Sequence, residues 1–98
     1  MKVKIPKRIK NFTVVYTPNL IVDDGDYGQV WFRKELIRID PCMPLLHRDR
    51  SLIHEVLHTI DRDYKCHLDD DNVDRIAGGF LDFLRNDLGI EFNWDNIK

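Results

Sequence analysis

His54-Glu55-Val56-Leu57-His58 is the stretch from which a fold and a function can be inferred for this 98-residue chain. Two histidines four residues apart on an α-helix project from one face, so their imidazoles can bind a single zinc ion. A glutamate that follows the first histidine is placed to act as general base for a metal-bound water. Because the pattern fixes only three positions, it is informative only with an amphipathic helix and a third ligand.

The residues around this motif predict an amphipathic helix from 49 to 65, with Asp49 as its N-cap. At about 100° per residue, apolar side chains fall on one side of the helix and both histidines on the other. The apolar side holds Leu52, Ile53, Val56, Leu57, Ile60 and Tyr64. The polar side holds Ser51, His54, His58, Asp61 and Lys65, with Glu55 at its flank. Two solvated histidines on an ordinary helix are the alternative, and the position of Glu55 argues against it.

The composition is that of one small domain spanning residues 1–98, with 43% hydrophobic and 33% charged residues. A chain of this length builds one core, so we expect the site to be an open groove on that core. The net charge of −2 argues against nucleic acid as a partner, because phosphate binding needs a basic surface. The basic residues of segment 1–11 are expected to form a solvated, Pro-containing lead-in. They are Lys2, Lys4, Lys7, Arg8 and Lys10.

Cysteine content and hydropathy predict a cytoplasmic protein with no membrane partner. Two cysteines, Cys42 and Cys66, are too few for a disulfide framework. Pro6 and the interleaved lysines interrupt any secretory signal, and no apolar run approaches the length of a membrane span. Cys66-His67 is a possible soft metal pair, although a lone pair of this kind is more typically structural.

Residues 12–40 predict a small N-terminal antiparallel sheet. Strands are expected at Phe12–Tyr16, at 28–32 and at 36–40, the last two joined as a hairpin. The short apolar run 20–22 is compatible with either a strand or a helical turn. Arg38 alternates with Ile37 and Ile39, so its side of the sheet is expected to be exposed. With the helices that follow, this predicts an α+β fold.

A second helix is predicted from 69 to 88, opened by Asp69 or Asp70 and stopped by Gly89. Its expected apolar stripe consists of Val73, Ile76, Ala77, Phe80, Leu84 and Leu88. The Gly78-Gly79 pair lowers helix propensity and suggests close approach of another element. Residues 90–94 are expected to pack back on the core.

A catalytic zinc site needs a third protein ligand in addition to two imidazoles. A third histidine six residues after His58 would be typical of metzincins, but Tyr64 stands there. The other common donor is a carboxylate from a following helix, and the chain offers Asp69-Asp70-Asp71. Asp69 and Asp70 fall near the inner side of the second helix and Asp71 points away. An acidic cluster that merely caps the helix is the alternative.

The order of these motifs resembles the gluzincins, in which H-E-x-x-H is followed by E-x-x-x-D on a second helix. It is most similar to the short ImmA/IrrE-like metallopeptidase domains of phages and prophages, on Asp70-x-x-Val73-Asp74-x-Ile76-Ala77. The resemblance covers roughly residues 52–84. It implies a zinc metallopeptidase of the zincin-like type, with Asp70 as third ligand and Asp74 orienting a ligand histidine. Aspartate is shorter than the usual glutamate, so either the second helix approaches more closely, or Asp69 or His67 is the donor.

The expected reaction is hydrolysis of a protein or peptide substrate, with a zinc-activated water and Glu55 as general base. Tyr27, Tyr64 and His67 are candidates for stabilising the oxyanion or contacting substrate, and no spacing selects among them. Strand 28–32 can present an open edge to an extended peptide. A non-catalytic zinc-binding interaction or regulatory module of phage origin is the alternative, against which the presence of Glu55 weighs.

Overall fold

The computed structural model describes all residues from Met1 to Lys98 and has an α+β fold, as predicted. The strands are β1 (Lys2–Lys4), β2 (Arg8–Ile9), β3 (Phe12–Tyr16), β4 (Gly28–Trp31), β5 (Leu36–Ile39) and β6 (Glu91–Asn93). The helices are α1 (Leu20–Asp24), α2 (Leu45–Tyr64) and α3 (Asp70–Asp82), and a π-helical turn, Phe83–Asp87, continues α3.

The main sheet has the strand order β2-β3-β5-β4 and is mixed, so the expectation of an antiparallel sheet was only partly right. β4 and β5 form the predicted antiparallel hairpin, but β5 runs parallel to β3, with Val14 opposite Ile37. The reason is that the run 20–22 belongs to helix α1 and does not form a strand. The chain therefore does not turn back after β3 to pair with it as an antiparallel neighbour. β5 then fills the position beside β3 and leaves β4 as an edge strand beside α2.

Alternation along β5 sets the two faces of the sheet, as the sequence predicted. Ile37 and Ile39 are fully buried in the main core. Arg38 lies on the opposite face, where its guanidinium lies 4.2 Å from the centre of the Trp31 ring. The sheet therefore packs α2 against one face only.

The segment 1–11 is not a free arm, because its backbone is paired. β1 runs parallel to β6, and β2 is antiparallel to β3. The lysines of β1 are exposed as expected, but Ile5 is buried with Trp94 and Ile97 in the main core. Residues 90–94 pack back on the core, as predicted.

Helix α2 begins at Leu45, so the prediction of Asp49 as its N-cap was wrong. Pro44 precedes the helix with a φ of −55°, and its carbonyl accepts hydrogen bonds from the backbone N–H groups of His47 and Arg48. Asp49 instead lies inside the helix and is 2% exposed. Its carboxylate accepts hydrogen bonds from Trp94 Nε1 at 2.7 Å and from Arg85 Nη1 at 3.4 Å. It therefore ties the tail and the π-helical turn to α2.

The predicted bounds of the second helix, 69–88, were too wide for a single α-helix. α3 ends at Asp82, and Asp69 is its N-cap, with a carboxylate that accepts from the Asn72 N–H at 2.7 Å. The predicted apolar stripe was partly wrong, because Ile76, Phe80 and Leu88 are 42%, 50% and 51% exposed. Leu81 is buried in place of Phe80, since the contact with α2 is centred on Ala77. Gly89, with a φ of +65°, ends the helical segment.

Both cysteines are exposed free thiols. None of the helices combines the length and apolar character that crossing a bilayer requires.

Candidate metal centre and groove

Three donor atoms of the predicted metal site lie together, although they come from two different helices. The Nε2 atoms of His54 and His58 are 3.1 Å apart. Asp70 Oδ1 lies 3.1 Å from the first and 3.0 Å from the second. These residues form the only group of three or more His, Cys, Asp or Glu residues with the spacing of metal ligands.

This triangle has nearly the size that a zinc site requires. With zinc–ligand bonds of about 2.0–2.1 Å in tetrahedral geometry, neighbouring donor atoms lie roughly 3.3 Å apart. Sides of 3.0 and 3.1 Å need to widen only slightly to accommodate the ion. Two imidazoles and one carboxylate also form a donor set that zinc accepts, with a fourth position left for water. The residues present therefore fit a zinc ion with one open coordination position.

Close packing of α2 against α3 explains how an aspartate reaches the histidines. Ala77 is fully buried and forms a small core with Ile53 and Leu81 at the contact between the helices. Gly78 lies beneath the guanidinium of Arg50, where a Cβ would be 3.0 Å from the Arg50 Cζ. Small residues on α3 thus allow the approach that the shorter side chain of Asp70 requires.

Asp74 lies behind His54, on the side away from the donor triangle. Its Oδ1 is 3.4 Å from His54 Nδ1, and its Oδ2 accepts a hydrogen bond from Arg50 Nη2 at 2.9 Å. A histidine that binds metal through Nε2 carries its proton on Nδ1, and a nearby carboxylate favours that tautomer. Asp71 points away and pairs with Arg75.

The neighbouring histidines also control the charge of Asp70. Desolvation acts to raise the pKa of this carboxyl, but hydrogen bonds and charge from His54 and His58 outweigh it and hold the pKa below its usual value. Asp70 is therefore a carboxylate at neutral pH, which is the form that binds a metal ion.

Glu55 lies in the wall of the groove beside these donors and is 7% exposed. No protein group donates a hydrogen bond to its carboxyl. Burial raises the pKa of Glu55 to about 7, with His54 opposing the rise and Asp70 and Asp26 adding to it. A carboxyl with such a pKa can both accept and return a proton near neutrality.

Gly28 at the start of β4 makes room for Glu55. A Cβ at this position would lie 3.3 Å from Glu55 Cγ and 3.2 Å from the backbone oxygen of Arg38. The absence of a side chain therefore allows the edge strand to run beside the Glu55 side chain.

The open groove runs between β4 and α2. Of the three residues predicted to stabilise the oxyanion or contact substrate, one lines the groove and two do not. Tyr27 lines it, with its ring centre 6.3 Å from that of His47. Tyr64 and His67 do not line it: Tyr64 is 76% exposed near the end of α2, and His67 is exposed in the loop after it. Cys66 is exposed in the same loop and belongs to no group of potential metal ligands.

Sequence reasoning missed His47 and Arg50 as residues of the groove. His47 precedes His54 by seven residues, two helical turns, which was a usable signal had α2 been extended to Leu45. Arg50 contacts Asp74, which is 24 residues away in the chain. Because this contact depends on tertiary packing, no local sequence pattern predicts it.

Comparisons with protein-family models, with curated proteins and with solved structures found no match to this chain.

Proposed function

We propose that this chain is a zinc-dependent metallopeptidase with His54, His58 and Asp70 as ligands. The observation that carries the proposal is the convergence of three donor atoms at 3.0–3.1 Å beside a buried, unpartnered carboxyl in an open groove. The order of the motifs, similar to that of ImmA/IrrE-like gluzincins, supports the same function.

The chemistry supplied by zinc in such a site is to lower the pKa of a water and to polarise the scissile carbonyl. Asp74 Oδ1 lies 3.4 Å from His54 Nδ1 and favours the tautomer that carries its proton there, so that Nε2 is free to coordinate. Glu55 accepts a proton from the attacking water and gives it to the leaving amine. No group in the protein donates a hydrogen bond to the Glu55 carboxyl, so its oxygens remain available to the attacking water.

An extended peptide is the substrate that the shape of the groove accommodates. β4 is an edge strand, so one side of its backbone is free to pair with an added strand. Gly28 leaves the space between β4 and Glu55 open, since a Cβ at this position would lie 3.3 Å from Glu55 Cγ. Tyr27, at the same end of β4, is the one of the three predicted substrate-contacting residues that lines the groove.

Metal analysis combined with a hydrolysis assay tests the proposal. The purified chain should contain one zinc ion, and it should cleave denatured casein or an unstructured peptide mixture, with products identified by mass spectrometry. Addition of a chelator should stop cleavage, and zinc should restore it. Glu55→Gln should retain zinc without turnover. Stoichiometric zinc with no cleavage of any peptide would instead support a non-catalytic zinc-binding module.

A further inference from the structure

The charged side chains that line the groove are mostly negative. Six carboxylates line it and only one arginine, Arg50, with no lysine. The carboxylates are Asp24, Asp26, Glu55, Asp70, Asp71 and Asp74. Because burial raises the pKa of Glu55 to about 7, the six acidic groups carry between five and six negative charges at neutral pH. Arg50, a bound zinc ion and Arg75, which pairs with Asp71, supply four positive charges, so the groove stays negative. A bound segment with positive charge is therefore favoured over a neutral or acidic one.

Two of these carboxylates form a fixed lip at the N-terminal end of β4. The side-chain amide of Gln29 donates hydrogen bonds to Asp24 at 3.0 Å and to Asp26 at 2.9 Å. The amide oxygen of Gln29 accepts from Trp31 Nε1 and Arg38 Nη1, each at 3.0 Å, which fixes its orientation. Neither Asp24 nor Asp26 takes part in an ion pair within the chain.

Glu55 provides independent evidence that this groove receives a ligand. It is more than nine-tenths buried, lacks a hydrogen-bond partner in the protein, and opens into the same groove as the lip. Asp71 and Asp74 lie on the opposite wall, contributed by α3, where they already pair with Arg75 and Arg50. Successive side chains of an extended peptide point to opposite sides, so alternate side chains can face Asp24 and Asp26, which have no ion pair.

We infer that the groove selects peptides that carry lysine or arginine beside the scissile bond, and that Asp24 and Asp26 contact the basic side chain. This inference rests on the proposed peptidase function and adds its substrate class. Gln29 serves as the positioning residue, because it holds both carboxylates in place before substrate binds.

The test compares peptides of one fixed neutral sequence in which a single position is Lys, Ala or Glu, scanned along the peptide. With the zinc-loaded chain, we expect kcat/KM for the best Lys peptide to exceed those for Ala and Glu by about three- to twenty-fold, the range for two exposed ion pairs. The ratio should fall towards one in Asp24→Asn/Asp26→Asn and at high salt. Asp24→Lys/Asp26→Lys should reverse the preference in favour of Glu.

The matched control is Asp23→Asn/Asp95→Asn, which removes the same charge from exposed positions outside the groove. It should leave the Lys-to-Ala ratio unchanged. An equal ratio in all variants, or equal cleavage of Lys and Ala peptides by the wild type, overturns the inference.

Binding to the Glu55→Gln protein separates this inference from the proposed function. Fluorescein-labelled Lys and Ala peptides are titrated with the zinc-loaded variant and followed by anisotropy. Tighter binding of the Lys peptide without cleavage by the wild type would support the charge selection and overturn the peptidase proposal. Cleavage by the wild type without any preference for basic peptides would support the peptidase proposal and overturn the charge selection.

Discussion

The Nε2 atoms of His54 and His58 face each other at 3.1 Å, one helical turn apart on α2. Zinc coordination through both Nε2 atoms requires the tautomer of each imidazole that carries its proton on Nδ1. Replacing both histidines with alanine should abolish stoichiometric zinc in elemental analysis of the purified chain. One zinc per chain in the double variant would move the site elsewhere, with Cys66-His67 as the first suspect.

Asp70 is expected to contribute more to zinc affinity than its acidic neighbours. Its Oδ1 lies within 3.1 Å of both imidazoles, whereas Asp71 faces Arg75. In competition with a chromophoric chelator, Asp70→Ala should weaken zinc binding far more than Asp71→Ala. Asp74→Ala should fall between them, with a loss of about 10–100-fold, because it only orients His54.

Asp70→Glu is the sharper variant of this series. It keeps the carboxylate but adds a methylene group, so it should retain more zinc affinity than Asp70→Ala. Equal affinities for the Asp70→Ala and Asp71→Ala proteins would remove Asp70 from the coordination shell and leave Asp69 or His67 as donor. Asp69 is already engaged as the N-cap of α3.

The residues of the candidate metal centre were easier to predict from the sequence than the tertiary framework that positions them. His54, Glu55 and His58 follow from a local spacing, and Asp70 and Asp74 were selected by phase on a helix and by family resemblance. Asp49 was misassigned as an N-cap because a short polar residue before an apolar run has the pattern of an N-cap. Its actual hydrogen-bond partner, Trp94, is 45 residues away in the chain, so no local pattern indicates the contact. The parallel pairing of β3 with β5 is likewise non-local, so no turn signal reveals it.

Glu55→Gln is expected to lose hydrolysis and to keep zinc. The amide has nearly the same shape and cannot accept the proton, so the loss should reach hundreds-fold or more in kcat. Elemental analysis and circular dichroism provide the controls, since both should match the wild type. A parallel loss of zinc affinity would make Glu55 part of the coordination shell.

The stability of the metal-free protein should depend on pH through Glu55. Burial raises the pKa of this carboxyl from its ordinary 4.5 to about 7, so the folded state binds the proton more tightly than the unfolded state does. The stabilisation is fully present below about pH 4.5 and is lost as the pH rises towards 7, by on the order of 3 kcal/mol. Urea unfolding in excess chelator at pH 5 and pH 8 measures it. Subtracting the Glu55→Gln curve removes the contribution of the histidines, and identical pH dependence in the two proteins would contradict the assignment.

Gly78 and Gly79 are adjacent on α3 but should respond differently to alanine. Nothing lies within 4 Å of a Cβ built on Gly79, so Gly79→Ala should gain the full helix propensity, about 0.5–1 kcal/mol of unfolding free energy. A Cβ on Gly78 would lie 3.0–3.1 Å from three guanidinium atoms of Arg50. The Arg50 guanidinium must then shift by a few tenths of an ångström, which weakens its hydrogen bonds to the Asp74 carboxylate and backbone oxygen. An exposed ion pair of this kind contributes about 0–1 kcal/mol, so Gly78→Ala should be nearly neutral.

Zinc affinity then distinguishes the two substitutions further. Once Arg50 has moved, Asp74 is held less firmly against His54 Nδ1, so Gly78→Ala should weaken zinc binding by a few-fold, less than Asp74→Ala does. Gly79 lies on the solvent side of the same helix, so Gly79→Ala should leave zinc binding unchanged. It is therefore the matched control. Arg50→Ala provides the direct comparison, because it removes the guanidinium without altering α3. Equal gains in stability and equal zinc affinities for the two glycine variants would mean that Arg50 does not couple α3 to the donor triangle.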